Sequence, residues 1–251
     1  MSSVGKSTLS SIDEPLPHGR ILVGCPIFER DWILDRWFDH LAQWPVELDF
    51  VFAFTPGSDR TLDIIQARAP MAHIILTEEG DHSVERNWGK RSRVETLADM
   101  RNALFGFVRS EGPAFYFSLD SDVLVAPWED SQRLFEALKR GFDAISPLAF
   151  LGKGDIANAF HWRGDHVTRL DSKKRYGVPQ VADVLAAAIL MSPAAYNRGS
   201  YGYDMLGEDI YWAKSVRNEP IKLGFDSSVV FRHVMSEENL HMKDTRVPWS
   251  S

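Results

Sequence analysis

The chain has 251 residues, 44% of them hydrophobic and 25% charged, which fits one large α/β domain or at most two small ones around a substantial core. Its net charge of −7, with no long Lys/Arg run, argues against binding a polyanion over the whole surface and leaves only a local basic patch open. A single cysteine, Cys25, excludes an internal disulfide and a Cys-rich metal site, and no apolar run reaches about 18 residues, so no membrane span is expected.

The first 19 residues are polar, rich in Ser and Pro, and lack the apolar centre of a signal peptide. They read as a flexible tail on a cytoplasmic protein. Val4-Gly5-Lys6-Ser7-Thr8 imitates the end of a phosphate-binding loop, but the strand and the earlier glycine that the motif needs are missing. Arg20 to Cys25 (RILVGC) is a buried strand stopped at Pro26. Asp31 to Trp44 places Leu34, Trp37, Phe38, Leu41 and Trp44 at helical spacing. Leu48 to Phe54 is a second buried strand. Gly57-Ser58-Asp59 is a turn, with Ser58 or Asp59 able to cap a helix running towards Ala69. Ala72 to Leu76 is a third strand, and the polar stretch Thr77 to Arg93 is a surface loop.

Val94 to Val108 is helical, Ala114 to Leu119 a strand, Asp130 to Arg140 a helix and Asp143 to Leu148 a strand. This alternation predicts a mostly parallel sheet with helices on both faces, whose ligands bind beyond the carboxyl ends of the strands. The pattern weakens from Ala149 to Asp183. Val184 to Met191 is one apolar strand, Asp209 to Arg217 a short helix, and Ile221 to Phe225 and Val229 to Phe231 two short strands. A single domain over 20–235 and a polar C-terminal tail over 236–251 are expected.

Asp120-Ser121-Asp122 follows the strand that ends at Leu119. On an extended backbone the two carboxylates point the same way, and they repel unless a cation lies between them. Hard oxygen ligands suit Mg2+ or Mn2+, which also binds phosphates. The competing reading is a solvated turn that caps a helix.

With the opening strand and Cys25-Pro26, Arg101-Asn102, Leu119-Asp120-Ser121-Asp122 and Gly207-Glu208-Asp209 in this order, the sequence resembles the GT-A fold glycosyltransferases of the broad family-2-like group. The resemblance implies a Rossmann-like three-layer α/β fold. It also implies a nucleotide-sugar half over 20–125, an acceptor half over 126–235, and transfer from a nucleotide sugar with Mn2+ or Mg2+. By the resemblance Asp122 binds the metal, Asp120 contacts the donor ribose or metal-bound water, and a late histidine, His233, completes the metal site. Pro26 and Phe28 lie where the family holds the nucleobase. Arg101 and Asn102 correspond to positions that approach the diphosphate or base. Asp209, with Glu208 second, is the base that takes the acceptor proton if the reaction inverts. The family's acidic residue at the end of the second strand is replaced by Thr55-Pro56, so a UDP-sugar is the default donor without its usual base-reading acid.

Each residue has a plainer reading. Pro26 can be an ordinary turn, Arg101 an exposed helix residue, His233 a structural hydrogen-bonding group, and Glu208-Asp209 a helix start favoured by the macrodipole. The acceptor side is expected from 149–183 and from Gly199 to Gly207. There Asn158 to Arg163, Tyr201 and Tyr203 either stack on flat rings or pack, and Lys173-Lys174-Arg175 is a solvated turn or a phosphate contact. A glycan, a small molecule or a hydroxylated DNA base are the acceptors left open. A sugar nucleotidyltransferase and a non-catalytic carbohydrate-binding protein are the alternative functions.

Overall fold

The computed structural model describes residues 19–78, 80–82, 90–150, 157–171 and 177–249. The phosphate-loop imitation at 4–8 and the basic cluster at 173–175 lie outside them. In chain order the elements are β1 (Ile21–Ile27), α1 (Asp31–Leu41), β2 (Leu48–Phe54), α2 (Thr61–Arg68), β3 (His73–Leu76), α3 (Arg91–Glu111), β4 (Phe115–Leu119) and β5 (Val123–Leu124). They continue as α4 (Trp128–Lys139), β6 (Ala144–Ala149), β7 (Ala159–Arg163), β8 (His166–Arg169), β9 (Gln180–Val181), β10 (Val184–Leu185) and β11 (Ala188–Met191). The chain closes with α5 (Pro193–Tyr196), α6 (Glu208–Ser215), β12 (Leu223–His233) and α7 (Glu237–Leu240).

The main sheet runs β3-β2-β1-β4-β11-β6-β12-β5, with β9 added on β12. Pairings β1–β2, β1–β4, β2–β3 and β6–β12 are parallel, and β11 is inserted antiparallel between β4 and β6. This is the expected mostly parallel sheet, and alternation along β1 shows why it is covered on both faces. Ile21, Val23, Cys25 and Ile27 join Leu34 and Trp37 of α1 and Leu134 of α4 in one apolar cluster. Leu22 points the other way, into the cluster of Leu104 and Phe105 from α3 and Trp212 from α6. Each large side chain buried in this way contributes about 1.5–3 kcal/mol. Gly24 is small because the Tyr116 ring of the neighbouring β4 occupies the place of a side chain there. Among the described residues no helix is long and apolar enough to cross a membrane.

Two strand expectations are corrected, and two stretches of weak pattern take defined structure. The run Val184 to Met191 is not one strand: Ala187, at φ 66°, breaks it, and β10 and β11 belong to different sheets. The two short strands after Ile221 are one long strand, β12, with an irregularity between Asp226 and Val230. The weak stretch after Ala149 contains the antiparallel β7–β8 pair, whose Phe160 and Trp162 pack near Ile210 and Ala213 of α6. The C-terminal stretch folds back on the molecule: Val247 is buried, and the Trp249 ring N–H donates to the Val230 carbonyl at 2.7 Å.

Candidate functional site

The carboxyl ends of β1, β2 and β4 meet at one edge, where Asp120 follows β4 directly. The backbone does not stay extended there. The Val123 N–H donates to the Asp120 carbonyl at 3.1 Å, so Asp120 to Val123 form a tight turn. The expectation that an extended backbone aims both carboxylates alike is therefore corrected. The chain turns aside because β5 pairs antiparallel with the end of β12, Val123 opposite His233. Three further bonds hold the turn. Asp120 N–H donates to the Ala187 carbonyl at 2.9 Å, and Val234 N–H to the Asp122 carbonyl at 2.7 Å. The Trp37 ring N–H reaches the Asp120 carbonyl at 3.1 Å.

Arg101, 4% exposed, is the hub of the site. Its Nη2 donates to Asp120 Oδ1 at 2.7 Å, its Nη1 to Ser118 Oγ at 3.1 Å and its Nε to Glu208 Oε1 at 3.0 Å. Asp209 Oδ1 lies 3.9 Å from the same Nε. Burial works against the charge on Arg101, but the carboxylates of Asp120, Asp209 and Glu208 hold the guanidinium well above its ordinary value. One cation among three acids does not neutralise them. Burial first, then Glu208 and Asp120, push Asp209 up to about 8 against the pull of Arg101. Asp120 is raised as well, by burial and then by Asp122 and Glu208, again against Arg101. Glu208 and Asp209 reach this position because Gly207, at φ 123°, turns the chain into α6.

Asp122 and His233 form the second half of the site, with Oδ1 and Nε2 3.3 Å apart. Burial opposes the Asp122 carboxylate, but the charge and hydrogen bond of His233 outweigh it, and Arg30 adds to them, so Asp122 is pushed down to about 2. Burial likewise lowers His233, yet Asp122 raises it overall, with Asp120 and the Phe150 backbone contributing. Among the described residues, no cluster of three or more His, Cys, Asp or Glu side chains would cage a metal by itself. A carboxylate beside an imidazole does fit a cation that takes its remaining ligands from phosphate and water, as Mg2+ and Mn2+ do. The excess of acids over Arg101 and His233 favours positive charge at the same place. Cys25, buried under the turn, is pushed well up by burial and then by Asp120 and Asp122, so it is a neutral packing group.

A cleft of about 490 Å3 opens beside the turn, between Phe28 and Glu29 after β1, Thr55 to Ser58 after β2, and His82. Phe28 stacks on the His82 ring with centroids 4.1 Å apart. A second, smaller cavity of about 50 Å3 shares Phe28 and His82 with it and is also lined by Pro26, Arg30, Arg93 and Ser121. The Arg30 side chain donates through Nη1 to the carbonyls of Phe28 and Glu29, while its Nε is buried without a hydrogen-bond partner.

The structure thus gathers Asp120, Asp122, Glu208, Asp209 and His233 at one edge, with Phe28 lining the adjoining cleft and Pro26 the smaller cavity. Arg101 and Asn102 are engaged within the protein. Arg101 donates through each of its three nitrogens to a neighbouring side chain. Asn102 is turned away to the loop before α6: its Nδ2 donates to the Tyr201 carbonyl at 3.0 Å and its Oδ1 accepts from the Tyr201 N–H at 2.9 Å. Tyr201 itself is buried against Phe105 and Trp212, so it packs. Glu29, Arg30 and His82 escaped the sequence reading. The signal available for the first two was their position just after a strand.

No protein-family model matches the sequence, and no curated protein matches it. Solved structures match its fold. S. aureus TarS 1-349 aligns with a TM-score of 0.56 at 13% identity, over 85% of this chain and 60% of that one. Mannosyltransferase PcManGT from Pyrobaculum calidifontis, in complex with GDP-Man and Mn2+, gives 0.53 at 13% identity, over 86% and 57%. GalNAc-T7 with UDP, GalNAc and Mn2+ gives 0.56 at 14% identity, over 86% and 44%. The chain therefore spans less than two thirds of the length of each neighbour. At these identities the likeness concerns the fold alone: the three-layer α/β GT-A architecture is that of this chain.

Proposed function

We propose that the protein transfers a sugar from a nucleoside diphosphate sugar to a hydroxyl acceptor. The observation that carries this reading is the constellation at the carboxyl edge of β4. Four acids, Asp120, Asp122, Glu208 and Asp209, stand with Arg101 and His233 beside a cleft large enough for a nucleotide. The nucleotide sugars and Mn2+ of the structural neighbours supply the donor class and the choice of cation, with UDP as the default base carrier.

Asp122 and His233 would hold Mn2+ or Mg2+, which supplies charge neutralisation for the departing diphosphate. Phe28 and His82 offer flat rings for the base, and Pro26 lines the adjoining smaller cavity. Arg30 lines the smaller cavity together with Ser121, on the side of Asp122 where the diphosphate would run. Asp120 stands between the donor and Arg101. Asp209 takes the proton of the acceptor hydroxyl as that oxygen attacks the anomeric carbon and the bond to the diphosphate breaks. Glu208 is held by Arg101 and fixes the start of α6, so it positions its neighbour.

A thermal-shift screen of nucleoside diphosphates and their sugars, with and without Mn2+, tests this reading, because ligands of the folded state raise its apparent stability. A metal-dependent shift with at least one diphosphate, together with slow hydrolysis of its sugar that Asp122→Ala abolishes, is expected. No shift across the panel in a folded sample would overturn the proposal, as would metal-dependent turnover that survives Asp122→Ala.

A further inference from the structure

Glu29 occupies a conformation that its residue type rarely adopts. Its φ is 46°, in the left-handed region, and only it and Ala187 do so among the described residues other than glycine. Strain of this kind marks places where a side chain must be aimed. Here it sends the Glu29 side chain from the end of β1 across to the end of β2. The Glu29 Cγ lies 2.6 Å from where a Cβ on residue 57 would be, so only glycine leaves room for it at Gly57.

The carboxylate is then fixed through one oxygen only. Oε1 accepts from the Ser58 N–H and from the Ser58 hydroxyl, each at 3.0 Å. Oε2 has no hydrogen-bond partner among the described residues. No ion pair within 4 Å joins it to the adjacent Arg30 among the described residues, and Arg30 Nη1 donates to the carbonyls of Phe28 and Glu29. The carboxylate lines the cleft of about 490 Å3 beside the stacked Phe28 and His82 rings. A flat platform next to an oriented, acceptor-only oxygen is a device for reading the edge of a planar heterocycle.

We propose that Glu29 selects the nucleobase of the donor, accepting through Oε2 the ring N–H of uracil or guanine. Cytosine and adenine present a ring acceptor at the corresponding edge position, which faces the carboxylate unfavourably. This inference rests on the donor-binding role given to the cleft and adds the residue that discriminates among donors.

Glu29→Gln separates reading from architecture. Its amide oxygen still accepts from Ser58, while the group facing the cleft changes from acceptor to donor. Glu29→Gly removes the carboxylate and relieves the left-handed φ, so it folds without the strain. Titration calorimetry with UDP, GDP, CDP and ADP in the presence of Mn2+ measures the preference. The wild type should bind UDP or GDP at least about 10-fold more tightly than CDP and ADP, the scale of one hydrogen bond to a charged group. E29Q should lose about 10-fold or more for the preferred diphosphate and narrow or reverse the order, and E29G should level it. An unchanged order in E29Q and E29G, with normal binding, overturns the role of Glu29 and leaves the donor reading standing. A folded wild type that binds none of the four, and none of their sugars, removes the donor reading and this inference with it.

Discussion

Removing the guanidinium of Arg101 is the perturbation the structure makes most consequential. Arg101→Met keeps an unbranched chain of similar length in the buried space but deletes three hydrogen bonds, to Asp120, Ser118 and Glu208, and a cation that lies within 4 Å of Asp209. Breaking a buried ion pair by removing one partner costs about 3–5 kcal/mol, because the remaining charge is left without compensation. For a chain of 251 residues this lowers the melting temperature by about 6–20 °C. The loss should depend on pH in a stated direction. Asp120 and Asp209 are raised even beside Arg101, and without it they bind protons still more tightly in the folded state than in the unfolded one. Carboxyls raised in this way cost stability as pH climbs through and above their unfolded values. R101M should therefore fall further below the wild type at about pH 8 than at about pH 5. The double variant Arg101→Met, Glu208→Gln removes one orphaned charge and should recover part of the difference. Thermal unfolding of the wild type, R101M and the double variant across this range is the assay. If R101M unfolds within about 1 kcal/mol of the wild type at both pH values, Arg101 is not the buried hub described above.

Three further outcomes are expected. Asp209, held up at about 8, must lose its proton to act as a base, so kcat/KM for metal-loaded enzyme should rise with pH on a limb that Asp209→Asn abolishes; a flat profile in the wild type would remove the base role. Asn102→Ala breaks both hydrogen bonds to Tyr201 and should cost about 1–3 kcal/mol of stability while leaving the affinity for nucleoside diphosphate unchanged; calorimetry showing weaker donor binding at equal foldedness would return Asn102 to the donor site. His233→Ala should raise the Mn2+ concentration needed for half-maximal turnover by about 10-fold or more, or about 1.4 kcal/mol, and an unchanged metal requirement would confine His233 to a structural role.

The sequence carried the elements whose signal is local. RILVGC, LDFVFAF and AFYFSL are apolar runs bounded by breakers, and the spacing of Leu34, Trp37, Phe38 and Leu41 marks one face of α1, so the layered sheet and its ligand-binding edge follow from periodicity. Asp120, Asp122, Glu208 and Asp209 stood out in the sequence by their order and by their places after a strand and at a helix start, although turns and the helix macrodipole favour acids at the same places. What periodicity cannot report is the partner of a buried polar group. Arg101 and Asn102 sit side by side on α3, yet one points to Glu208, 107 residues away, and the other to the backbone of Tyr201, 99 residues away. The apolar run Val184 to Met191 carries no sign that Ala187 breaks it, because the break serves a carbonyl that Asp120 needs in space. Glu29 in a left-handed turn, and the β5–β12 pairing that sets His233 against Asp122, arise likewise from long-range contacts. Hydrophobic pattern specifies which face of each element is buried, and the packed sheet then selects which distant charges meet.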